Sequence, residues 1–214
     1  MIQLALDRLT KSECRQIADQ ASPYVDYVEI GTGVIKEYGM DFVCEMKERN
    51  PDKIIVADMK TCDAGKHETR QALESGADIT TVMGFSADQT IVDSLEVARE
   101  LGKKVLVDLL GVNSRKRLQE LKALGVELVS VHIGKDMQQA STVDSLEPFM
   151  DLSNDFDVFV AGGIDPDRIE KFHQLNPAVY IFGSYITAAE SPSSAAKTIK
   201  EVIQSIERNT PSNS

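Results

Sequence analysis

"KIIVADMKTCDAG" occupies residues 53–65. Its first half is apolar on consecutive positions, Ile54, Ile55, Val56 and Ala57, rather than on alternate ones. A strand with one face in water alternates, whereas one buried on both faces stays apolar throughout, as in a parallel sheet covered by helices. The second half turns abruptly polar and places Asp58, Lys60 and Asp63 at the strand exit. Those charges read either as a salt-bridged turn or as a catalytic array.

The same pattern recurs along the chain. "IQLALD" (2–7), "YVEIG" (27–31), "ITTVMG" (79–84), "KVLVDL" (104–109), "LVSVHIG" (128–134), "DVFVAGG" (157–163) and "VYIFGS" (179–184) are further β-rich runs. Helical patterns lie between them. In "SRKRLQELKALG", Leu118, Leu121 and Leu124 recur at helical spacing with charges between. Gly102 and Gly125 fall where helices are expected to end. Eight strands alternating with helices match an α/β fold of the (β/α)8 TIM-barrel type. A doubly wound open sheet gives the same local pattern. The lack of a GxGxxG turn after the first strand favours the barrel.

The totals fit one globular unit: 214 residues, 42% apolar and 27% charged. A single barrel domain is expected over residues 1–207, with a polar tail at 208–214. Residues 136–155 are long for a loop and are expected to hold a short helix and to act as a lid. The net charge of −11, with no local basic patch, argues against nucleic-acid binding. Cys14, Cys44 and Cys62 form no CxxC pair, which argues against structural zinc and a disulfide framework. With no hydrophobic leader or spanning segment, a cytoplasmic location and no membrane partner are expected.

In a barrel, chemistry belongs at the C-terminal strand ends, where the loops converge. The polar residues closing the first six strands are Asp7, Glu29, Asp58 with Lys60 and Asp63, Asp108 and His132. The last two strands end in glycine instead, at Gly162, Gly163 and Gly183 with Ser184. Backbone N–H groups in such loops bind phosphate where no Cβ obstructs approach. The alternative is that these glycines only make tight turns.

Glu29 and Asp58, on neighbouring strands, can offer oxygens to a hard cation such as Mg²⁺. They can equally be strand-end acids satisfied by loop N–H groups or by Lys60. His132 is the best general acid/base candidate, since an imidazole moves protons at neutral pH. Asp58 and Lys60 have period-two spacing and can share one side of an extended segment. Carboxylates this close keep Lys60 charged and aimed, fit to stabilise a developing oxyanion.

The motif D-x-K-x-x-D, here "DMKTCD", is similar to the signature of the orotidine 5′-monophosphate decarboxylase suprafamily. "QLALD", "VEIGTGVI", "GADITTVMG", "VLVDLLGV", "VHIGKDMQQA", "VAGGI" and "IFGSYITAA" extend the resemblance over nearly the full length. Within that group the chain resembles the branch of 3-hexulose-6-phosphate synthases and 3-keto-L-gulonate 6-phosphate decarboxylases. The decarboxylases usually carry Glu at the fifth strand end and Arg at two later positions, where this chain has Asp108, Lys135 and Ser184. Those departures resemble the synthases, while Lys66 and the charge of Lys135 are decarboxylase-like.

The resemblance implies Mg²⁺ at Glu29 and Asp58, and substrate hydroxyls at Asp7 and Lys60. It puts the phosphate on Gly163, Gly183 and Ser184. It also implies a homodimer in which Asp63 reaches the neighbouring subunit's site. The expected reaction is an aldol addition of formaldehyde to D-ribulose 5-phosphate through a 1,2-enediolate, with His132 as base. Decarboxylation of a phosphorylated keto acid would reach the same kind of enediolate. A ribulose-phosphate epimerase is disfavoured, because "IQLALD" and "YVEIG" lack His. A barrel that binds a sugar phosphate without catalysis is the remaining reading, and it leaves His132 without a purpose.

Overall fold

A computed structural model describes residues 1–133 and 143–209. The strands are β1 (Ile2–Leu6), β2 (Tyr27–Ile30), β3 (Ile54–Thr61), β4 (Ile79–Met83), β5 (Lys104–Asp108), β6 (Leu128–His132), β7 (Asp157–Ala161) and β8 (Val179–Phe182). They pair in parallel in chain order, and β8 returns to β1, with Leu4 opposite Phe182, to close the barrel. The open-sheet alternative is thereby excluded. β1, β2 and β4 are buried at every position, as consecutive apolar runs require.

The helices are α1 (Lys11–Ala21), α2 (Thr32–Tyr38), α3 (Met40–Arg49), α4 (Gly65–Glu74), α5 (Asp88–Glu100), α6 (Arg115–Ala123), α7 (Ile169–His173), α8 (Ser184–Thr187) and α9 (Pro192–Asn209). α1 starts at a capping box, in which Thr10 accepts from the Glu13 N–H while the Glu13 carboxylate accepts from the Thr10 N–H. α5 and α6 run out into Gly102 (φ 65°) and Gly125 (φ 85°), the left-handed positions anticipated for these glycines. Between β6 and β7, 3₁₀ turns span Val143–Phe149 and Leu152–Asn154. The rest of the expected lid, 136–142, and the tail beyond Asn209 lie outside the described residues.

Two apolar layers hold this arrangement. Inside the barrel, Tyr27, Val56, Ile79, Leu106, Leu128, Phe159 and Val179 form a plug contributed by seven strands. Between barrel and helices lies a larger core that includes Leu4, Ile30, Ile55, Val107 and Phe182. The plug fills the lower barrel, so a ligand can enter only from the strand C-termini. β3 is the exception to regularity. Its register against β4 shifts between Ala57 and Thr61, and Lys60 sits in the left-handed region at φ 49°.

Candidate active site

A cavity of about 750 Å³ opens at the C-terminal strand ends. Asp7, Glu29, Asp58, Lys60, Asp108, His132, Gly162, Gly163, Gly183 and Ser184 all line it. Of the residues singled out in the sequence for catalysis or binding, only Asp63 is not among its walls.

At the centre stands Asp108, the last residue of β5. Its Oδ2 accepts from Lys60 Nζ at 2.6 Å and lies 3.0 Å from His132 Nδ1, while Oδ1 accepts from the Leu110 N–H at 2.8 Å. Burial pushes the pKa of such a carboxyl up, but the His132 hydrogen bond and the Lys60 charge outweigh it and bring Asp108 down to about 2. A carboxylate can only accept, so the His132 Nδ1 carries the proton it donates. That leaves Nε2 as the imidazole's basic atom.

Asp58 is the second anchor. Its Oδ1 accepts from Thr81 Oγ1 at 2.8 Å and from Lys60 Nζ at 3.2 Å, and its Oδ2 accepts from Thr32 Oγ1 at 2.8 Å. Thr81 also accepts the Lys60 backbone N–H at 2.8 Å, which fastens the irregular end of β3 to β4. Burial works against the Lys60 charge, yet Asp58 and Asp108 together hold its ammonium above the ordinary lysine range.

Two sequence expectations change here. Asp58 and Lys60 do share the cavity, but not as period-two neighbours on an extended strand, because the chain turns left-handed at Lys60. The second carboxylate of the lysine is Asp108, forty-eight positions away, and not Asp63. Asp63 is exposed on the loop that leads to α4. Asp63 lies two residues beyond the end of β3, outside the cavity that holds the ion cluster.

Asp7, Glu29 and Asp58 crowd one side of the cavity. Burial, followed by the charges of Asp58 and Asp7, holds the Glu29 carboxyl well above the usual range. Burial and then Asp58 raise Asp7 as well. Buried acids that repel one another suit a hard cation, which relieves desolvation and repulsion together. No three His, Cys, Asp or Glu side chains among the described residues form a ready-made metal cage. A Glu29 and Asp58 pair completed by water and substrate oxygens therefore fits the donor set.

The glycines divide by cause. A Cβ on Gly162 (φ 110°) would meet the Ile133 carbonyl oxygen at 2.3 Å, so the turn itself demands glycine there. A Cβ on Gly183 would find its nearest neighbour only at 4.0 Å, so packing does not require that glycine. The space beside Gly183 is open to a ligand. The first N–H groups of α8, which begins at Ser184, have no acceptor within the helix.

Several wall residues escaped the sequence reading. Among the polar ones, Gln3, Thr81 and Ser130 lie within strands, and Thr32, Thr187, Arg8 and Lys36 lie outside them. Gln3 was within reach, since it shares the inward period-two face of β1 with Ala5 and Asp7. Arg8 and Lys36 gave no signal, because lone basic residues in loops and helices are ordinary. His67 and Lys66 are exposed and do not line the cavity. His173 Nδ1 lies 2.8 Å from the Tyr180 hydroxyl. Lys135 lies outside the described residues.

The orotidine 5′-phosphate decarboxylase / HUMPS family model matches residues 1–199. The chain is 36% identical over 206 residues to 3-hexulose-6-phosphate synthase 3 of Staphylococcus saprophyticus, covering 95% of this chain and 98% of that one. A solved 3-hexulose-6-phosphate synthase from Salmonella typhimurium superposes with a TM-score of 0.91 at 34% identity, over 95% of this chain and 98% of that one. A 3-keto-L-gulonate-6-phosphate decarboxylase from Vibrio cholerae gives 0.87 at 30% identity, over 96% and 97%.

Proposed function

This chain belongs to the orotidine 5′-phosphate decarboxylase / HUMPS family, and from that membership we propose that it acts as a 3-hexulose-6-phosphate synthase, a metal-dependent aldehyde-lyase. The observation that carries the reading is Asp108 Oδ2 shared by Lys60 and His132. That one atom joins a base aimed by its tautomer to a cation that is always charged. A cavity meant only to bind a sugar phosphate has no use for the pair.

D-ribulose 5-phosphate enters with its phosphate at Gly163, Gly183 and Ser184 and its hydroxyls toward Asp7. His132 Nε2 takes the C1 proton. The electron pair left behind forms a 1,2-enediolate, whose oxygen faces the Lys60 ammonium. C1 then attacks the carbon of formaldehyde, a C–C bond forms, and the former aldehyde oxygen receives the proton from His132. Throughout, Asp108 holds the imidazole in place and balances its charge while it is protonated. Mg²⁺, held by Glu29 and Asp58 when bound, supplies Lewis-acid polarisation of substrate oxygens. Lys60, kept ionised, is a poor nucleophile, so no Schiff base is required.

We assign Asp63 to the neighbouring site of a homodimer, consistent with its exposed position outside its own cavity. A reducing, cytoplasmic setting agrees with the free thiols of Cys14, Cys44 and Cys62. No helix among the described residues is long and apolar enough to cross a membrane.

Two incubations test the reading. Purified protein with Mg²⁺, D-ribulose 5-phosphate and formaldehyde should form a hexulose phosphate. The same protein with 3-keto-L-gulonate 6-phosphate should release CO₂ slowly or not at all. Dominant CO₂ release would assign the chain to the decarboxylase branch, and inactivity in both would leave a binding barrel.

A further inference from the structure

Gln3 is a charge-neutral polar side chain buried in a place that apolar residues could fill. It lies within β1 at 1% exposure, one pleat below Ala5, and its main chain is in register with Tyr27 of β2. Its amide Nε2 donates to Glu29 Oε2 at 2.6 Å. The other end of the amide, Oε1, is buried and has no hydrogen-bond partner. The amide donor thus faces Glu29 and its acceptor faces away from it.

An orphaned buried acceptor is unfavourable, and an apolar side chain of similar length would avoid it. The orphaned oxygen by itself therefore gives no reason for a glutamine at this point. The contact with Glu29 does. A lysine or arginine here would also fix Glu29, but it would cancel the negative charge shared with Asp7 and Asp58. An amide orients the carboxylate and leaves that charge in place.

We propose that Gln3 is a positioning residue for cation capture: it holds the Glu29 carboxylate toward Asp58 without neutralising it. The inference rests on the metal reading given above and goes beyond it, because it assigns a role to a residue that acts through Glu29. Ligand-orienting partners of this kind change metal affinity more than they change fold.

The test compares the wild type with Gln3→Met, which keeps length and removes the donor. Mn²⁺ and Mg²⁺ are titrated calorimetrically, and thermal stability is measured without cation. Gln3→Met should weaken binding of both ions by roughly 10- to 100-fold. Its cation-free melting temperature should fall only slightly, since losing the orphaned oxygen offsets part of the cost of leaving Glu29 Oε2 without its donor. Unchanged ion affinity in Gln3→Met would overturn the inference while leaving the metal reading intact. A large drop in cation-free melting temperature would make Gln3 structural and would also overturn it. Wild-type protein that binds neither ion would bring down the metal reading and this inference with it.

Discussion

At the scale of single residues, the site works through charges that are held apart from their ordinary behaviour. His132→Ala should lower kcat by ~10²–10⁴-fold in a synthase assay, the range for a general base. A loss under tenfold would remove His132 from that role. Stability should also depend on pH in two opposite ways. Asp108 is depressed to about 2, so its contribution is complete above the ordinary Asp value and is lost as pH falls from there toward about 2. Glu29 and Asp7 are raised, so their contribution is present at acid pH and is lost as pH rises through their elevated values. A cation bound at Glu29 and Asp58 favours the ionised forms and removes this second loss. Melting curves with and without Mg²⁺ should therefore coincide near the acid end and separate as pH rises. Glu29→Gln should abolish the separation. A constant offset at every pH would show that the cation binds elsewhere.

At the scale of elements, the end of β3 shows where sequence reading succeeds and where it stops. Ile54 to Ala57 announced a strand buried on both faces, and all eight such runs are strands of one closed barrel. The strand-end acids, His132 and the glycines of β7 and β8 were legible too, because barrel topology sends every strand exit to the same mouth. What periodicity could not show is the left-handed turn at Lys60 or the choice of Asp108 over Asp63 as its partner. Both depend on the stagger of β3 against β4 and on β5, which no local spacing encodes. Thr81 was missed for the same reason, since a threonine in a strand is ordinary until its neighbours are known. Thr81→Val keeps the shape but strands the Lys60 N–H and takes a donor from Asp58. Chemical denaturation should show a loss of about 1–3 kcal/mol, with a weaker catalytic step in the same variant. A variant as stable and active as the wild type would mean that water replaces the hydroxyl without cost.

At the scale of the whole molecule, the exposed Asp63 carries the question of assembly. If each site borrows Asp63 from a second copy, Asp63→Ala and His132→Ala proteins should each be inactive alone. Mixed and allowed to exchange, they should regain about a quarter of wild-type activity, because half of the dimers are hybrid and each hybrid has one intact site. No recovery after exchange verified by mass would place Asp63 within its own subunit's function, and an Asp63→Ala protein active alone would place it outside function altogether. A last consequence follows from how the cavity wall is made. Asp7 follows β1, Glu29 comes from β2, Lys60 from β3, Thr81 from β4, Asp108 from β5, His132 from β6, Ala161 from β7 and Ile181 from β8. No half of the chain contains a working fraction of this wall. During refolding, turnover can return only after the final seam between β8 and β1 has closed, whatever helical signal has already recovered. Activity should therefore lag behind circular dichroism when both are followed from the same denatured sample.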